Sequence, residues 1–336
     1  MRIHRSKLRD GNILPPVLNF LDTLPDEILY YLDHQLRPPK GIFNLSFDRA
    51  IKGFEDILKW LDRHEKPLFL PDGQLLLNDV EHLMDCQREL LLAMAAWLDD
   101  SYQIMKVFYP KNEKSPTTKY VKEWLKKVKH PTVKQFSGEI KAYNESLSPI
   151  SNKIKHETGR LRYFVMYDKV RILHGFYLEG AGNDGSLGPH PEVHPDNTAI
   201  SFNYSLKYHF SHLYLISRHL KTALNRAIRL EHKIELKPGV LDIENARLDE
   251  VASKISSLPN LFFGDEKFKN HSLVRYSKDE LGSDLVVEYP SQIRIVRDVP
   301  KIAMIQTQGD GVSKSFRVPY GIKHPHIWTP PKQYVY

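Results

Sequence analysis

The stretch from Gly73 to Tyr109 constrains the fold more than any other part of the chain. Leu76, Val80, Leu83, Met84, Leu91, Met94, Leu98, Tyr102 and Met105 keep one helical face mostly apolar, interrupted at Gln87. At 1.5 Å per residue such a helix is roughly 50 Å long. A helix of that length is stabilised by packing along its apolar face, so it reads as the spine of a bundle. The longest apolar run, Leu90 to Leu98, is too short to cross a bilayer and is flanked by Glu89 and Asp99. The basic start, Met1 to Lys7, is followed by no apolar signal core, so no membrane association and a cytoplasmic location are expected.

The neighbours of that helix read in the same way. Phe47, Ile51, Phe54, Ile57, Leu58 and Leu61 predict a helix from Ser46, ended by His64 to Pro67. Pro25-Asp26-Glu27 predicts a shorter helix running to about Gln35. Pro110 stops the spine, a basic helix follows over Thr118 to His130, and Pro131 opens another reaching about Thr158. Pro149 marks a kink or break in it, with Ser148 available to cap a restarted helix. Leu161 to Tyr167 and Val170 to Leu178 are β-branched and aromatic, as in a hairpin or two strands. The Gly- and Pro-rich stretch Glu179 to Asn203 reads as a long exposed loop. A strong helix spans Ser205 to about His232, a short one Glu244 to Ser257, and strands are predicted at Ser272 to Tyr276, Asp284 to Tyr289, Gln292 to Val299, Ile302 to Gln308 and Ser313 to Val318.

The expected fold class is therefore mainly α: an antiparallel helical bundle with an inserted β-hairpin and a small α+β C-terminal domain. Its divisions are short N-terminal helices and a linker over 1–45, the bundle over 46–234 with its hairpin insertion at 161–203, and the α+β domain over 240–336. A chain of 336 residues agrees with a prior of two domains, and the single cysteine, Cys86, excludes a disulfide scaffold.

Charge is unevenly placed. The chain carries 48 Lys and Arg against 41 Asp and Glu, a net +7. Ser101 to Arg171 alone holds 16 basic and 6 acidic residues, or +10, so the remainder sums to −3. Such a concentration is the footprint of a polyanion-binding surface, with Lys126, Lys127 and Lys129 the candidates on the basic helix. Lysines kept for solubility on a solvated bundle face would give the same count. The aromatic signature of an RNA-binding sheet is missing, so readout of a particular sequence is not implied.

Opposite the apolar seam of the Pro131–Thr158 helix lie Glu145, Asn152 and His156, with Arg160 next in line if the helix continues. Asn152, Lys153, Lys155, His156 and Arg160 gather hydrogen-bond donors in one short basic stretch. A lone histidine on such a face is usually just solvated. The segment Ser151-Asn152-Lys153-Ile154-Lys155-His156 resembles the Arg-Asn-x-x-x-His variant of the HEPN motif (higher eukaryotes and prokaryotes nucleotide-binding). Asn152 to Arg162 is similar to HEPN-like bacterial proteins, and the resemblance covers roughly Phe43 to His232.

The resemblance implies a helical bundle acting as a homodimer, with RNA or a protein partner of a multi-component system, in bacterial antiviral defence or toxin–antitoxin function. Asn152 and His156 would then be the catalytic residues of a metal-independent endoribonuclease, with no metal and no cofactor. Two histidines from a dimer would move protons while the 2′-hydroxyl attacks its own phosphate. Lys153, Lys155 and Arg160 would join the RNA-binding set. The family's arginine has no counterpart, because Ser151, Ile150 and Pro149 fill the positions open to it. Without that guanidinium the transition-state charge loses its bidentate partner, which favours RNA binding or a degenerate, non-catalytic scaffold over an efficient nuclease.

Other candidates carry less chemistry. His190, His194 and Asp196 have no familiar zinc spacing, and no acid at helical spacing accompanies His212 and His219. Gly180-Ala-Gly-Asn-Asp-Gly185 has dinucleotide-loop spacing, but Gly188-Pro189 and Pro191 follow it in place of a helix.

Overall fold

The computed structural model describes residues 4–6, 13–66, 68, 78–111, 117–118, 120–156, 159–167, 171–236, 245–280, 282–291, 302–305 and 316–321. Expectations falling on 67, 69–77, 237–244, 292–299 and 313–315 lie outside the described residues. In chain order the elements are β1 (His4–Ser6), α1 (Pro16–Asp22), α2 (Pro39–Arg63), α3 (Val80–Lys106), α4 (Val121–Val128), α5 (Pro131–Glu139) and α6 (Lys141–His156). They continue with β2 (Leu161–Tyr167), β3 (Ile172–Ala181), β4 (Leu187–Pro189), β5 (Ile200–Ser201), α7 (Phe202–Glu231), α8 (Ala246–Ser257), β6 (His271–Asp279), β7 (Gly282–Ser291) and β8 (Ile302–Ile305). The fold is mainly α, with two small antiparallel sheets.

The spine is built from α2, α3 and α7. α2 begins at Pro39, seven residues before Ser46, because proline's fixed φ suits the first helical position and Ile42 and Phe43 extend the buried stripe. It lies close against α3: a Cβ added at Gly53 would come within 3.1 Å of Leu90. Phe43 and Trp97 meet edge to face at 5.0 Å between centroids. In α7, 19 of 30 residues are buried, so this helix is surrounded by others on most sides. The hydroxyl of Tyr143 on α6 hydrogen-bonds His209 Nδ1 on α7 at 2.8 Å, and its ring stacks on His212 at 4.3 Å.

One sheet runs β4-β3-β2-β8 with β5 beside β3; the other runs β1-β7-β6. β2 and β3 form the expected hairpin, in register from Leu161 opposite Leu178 to Tyr167 opposite Ile172. Arg162 grips Glu179 across it with two bonds of 2.7 and 3.0 Å, both side chains largely buried. Losing one partner of such a pair costs about 3–5 kcal/mol, since the other charge stays buried and unpaired. Buried residues of α8, β6 and β7 join the core of the bundle, and Arg247 and Lys254 of α8 pair with Glu55 and Asp62 of α2.

Three local expectations are corrected. Residues 25–35 hold one turn of 3-10 helix at Asp26–Ile28, and the chain then leaves the helical path as the Tyr30 amide donates to the Val107 carbonyl. Glu179 to Asn203 is no long exposed loop: β4 and β5 pair with β3, and buried His194 accepts the Leu178 amide proton at Nε2. The break in the Pro131–Thr158 helix falls at Ile140, just after Gly138, and α6 runs through Pro149 without restarting. The carbonyl that proline leaves unbonded belongs to Glu145, an exposed residue that water can reach.

Candidate nucleic-acid interface

α4 is short, and its apolar residues fix which way its charges point. Trp124 and Leu125 are buried, with Val121 and Val128 packed against the same core. Lys126 and Lys127 are left exposed, as is Lys129, which ends the helix in the left-handed conformation at φ 56°. Two ammonium groups tie α4 to the end of α3. Lys106 lies 5.0 Å from the Trp124 ring centroid and Lys122 lies 5.4 Å from that of Tyr102. Tyr102 in turn hydrogen-bonds Ser137 of α5 at 3.1 Å.

Positive charge is crowded around this corner. Burial holds the Lys106 ammonium below its ordinary range, and the charge of Lys111 adds to the effect. His34 packs edge to face on Trp124 at 5.0 Å and hydrogen-bonds the Tyr109 carbonyl at 2.8 Å. Its imidazole is held below its ordinary range by burial, a shift the Tyr109 hydrogen bond opposes and Lys106 and Lys111 reinforce.

Asp99 of α3, an exposed residue, feels charges from both neighbouring helices. Desolvation lifts its carboxyl above the usual range, while the charges of Lys155 and then Lys122 pull it back. One carboxylate thus feels a lysine from α6 and a lysine from α4, two helices that both pack against α3. Lys155 on α6 and Lys126, Lys127 and Lys129 on or at the end of α4 are exposed on helices that both pack against α3.

The remaining residues expected from sequence divide. Asn152 and His156 are exposed one turn apart at the end of α6, as the wheel predicts. Lys153 turns away, its side chain 12% exposed and paired with Glu192 at 2.9 Å. That bond holds the Glu192 carboxyl below the usual range. Arg160 is exposed but does not continue the file of Asn152 and His156: residues 159–160 are non-helical, and the Arg160 carbonyl accepts the Glu179 amide. Its side chain lines a cavity of about 350 Å³ with the start of α3 and the Arg162 and Tyr163 end of β2. Ser151, where the motif's arginine would stand, is 3% exposed and bonds the Ser148 carbonyl at 3.3 Å.

Of the other groups weighed from sequence, burial pushes the Cys86 thiol up to about 11, far from a reactive thiolate. Sequence reasoning missed Lys106, Lys111, Lys122 and Asp99; the buried pair Trp124-Leu125 is the signal that orients α4 and its lysines. Comparisons with protein-family models, curated proteins and solved structures find no match for the chain.

Proposed function

We propose that the chain binds RNA through the basic sector formed by α3, α4 and α6, and holds it without efficient cleavage. The observation that carries this is that α4 and α6 both pack against α3, with Lys126, Lys127 and Lys129 exposed on or at the end of the one and Lys155 exposed on the other. Phosphates laid along such a surface release condensed counterions, which supplies affinity with little regard to sequence.

Binding is favoured over cleavage by Ser151. Asn152 and His156 are available to RNA, but an arginine at position 151 would enter the packed side of α6, about 140° round the helix from His156. A homodimer that brings two exposed α6 ends together, in a bacterial defence or toxin–antitoxin setting, belongs to the same proposal. A second reading, a non-catalytic scaffold for a protein partner, draws on the same burial of Ser151.

The test is RNA binding across a salt series, with RNA integrity followed in the absence of metal. Affinity that falls steeply with salt, on uncut RNA, is expected. Affinity independent of salt would remove the basic sector from consideration. Cleavage abolished by His156→Ala would replace binding with the ribonuclease reading.

A further inference from the structure

Tyr120 stands at the edge of the basic sector with 67% of its surface exposed. Nothing in the packing of α4 demands that exposure, because Val121, Trp124, Leu125 and Val128 already supply its inner face. The backbone beneath the ring is held. The Tyr120 carbonyl accepts the Trp124 amide at 2.9 Å, and its own amide donates to Thr118 Oγ1 at 3.4 Å. The Thr118 hydroxyl donates onward to Glu123 at 2.8 Å. An aromatic face is thereby offered to solvent from a fixed base, beside Lys122 and within two turns of Lys126 and Lys127.

We propose that Tyr120 is a stacking platform for an unpaired base, so that the nucleic acid taken by this face is single-stranded. This rests on the RNA-binding reading and adds the class of RNA. A duplex turns its base faces inward and offers the protein phosphates and groove edges, which lysines suffice to bind. An unpaired base has a free face, and stacking on a tyrosine is tolerant of its identity. An exposed ring at the start of a helix that also carries exposed lysines therefore combines the two elements of a non-specific single-strand site: a backbone track and a place for a base. Sequence preference is not required, since every base has a face that can stack.

The experiment compares a short labelled uridine-rich strand with a duplex of equal length, on the intact chain and on Tyr120→Ala, Tyr120→Phe and Lys126→Gln/Lys127→Gln. Because the ring is exposed, unchanged melting temperatures will show that the variants fold. Tyr120→Ala is expected to weaken single-strand binding about tenfold and leave the duplex untouched, while Tyr120→Phe keeps the strand affinity. Equal loss on strand and duplex, or no loss on the strand, overturns the platform. In either of those cases a continuing loss in the double lysine variant leaves the basic sector standing. If the intact chain binds neither RNA, the RNA reading falls as well and a protein partner takes its place.

Discussion

Replacing Lys126, Lys127 and Lys129 by glutamine removes three ammonium groups that form no ion pair among the described residues. If each neutralises one phosphate of a single strand, each contributes about 0.7 to the slope of log affinity against log salt. The triple variant should then have a slope shallower by about 2, and bind about a hundredfold more weakly at 0.1 M monovalent salt, with the two proteins converging near 1 M. All three side chains are exposed, so the fold should shift by no more than about 0.5 kcal/mol. Fluorescence anisotropy over a salt series measures the slopes, and thermal unfolding checks the fold. Parallel salt lines for the two proteins would refute the reasoning, whatever the difference in affinity, because they would mean that no phosphate contact had been removed.

Two further outcomes follow from buried groups. Ser151→Arg should fail to create a nuclease and should destabilise the fold by about 3 kcal/mol or more, since the guanidinium enters the packed side of α6 without a partner; a stable variant in thermal denaturation would contradict this. Acid should also unfold the protein. Burial depresses His174 and His212 to about 4 and His194 and His209 to about 3, so stability present above pH 6.5 is lost as the unfolded chain takes up these protons below it. Glu266, raised to about 7 by burial, works the opposite way, because below that pH its carboxyl binds a proton more readily when folded. The histidines outnumber it, so the net effect is a loss of stability between pH 7 and pH 5; equal denaturant midpoints at those two pH values would sink this prediction.

Periodicity located the helices whose apolar faces are continuous. α3, α7 and the β2–β3 hairpin lie close to where the pattern of Leu, Ile and aromatic residues puts them, because one face of each is buried. What local pattern does not encode is a competing long-range bond. Tyr30 is drawn to Val107, and the Glu179–Asn203 stretch is drawn onto β3 by His194 and the Leu178 amide. In the candidate site, the exposure of Asn152, His156 and the α4 lysines follows from the position of apolar neighbours on the same helices. The packing of α4 and α6 against α3 does not, because it joins three helices separated in sequence. Arg160 leaves the file of Asn152 and His156 for a related reason: spacing of four carries meaning only while the helix lasts, and Gly159 and Arg160 are non-helical.

Amine-reactive footprinting of the intact chain, with and without RNA and read by peptide mass spectrometry, tests the RNA-binding sector most directly. Lys122, Lys126, Lys127, Lys129 and Lys155 should be protected by RNA, while Lys52 and Lys59, exposed on α2, keep their reactivity. Protection absent from the first set, or equal on α2, would contradict binding through this face.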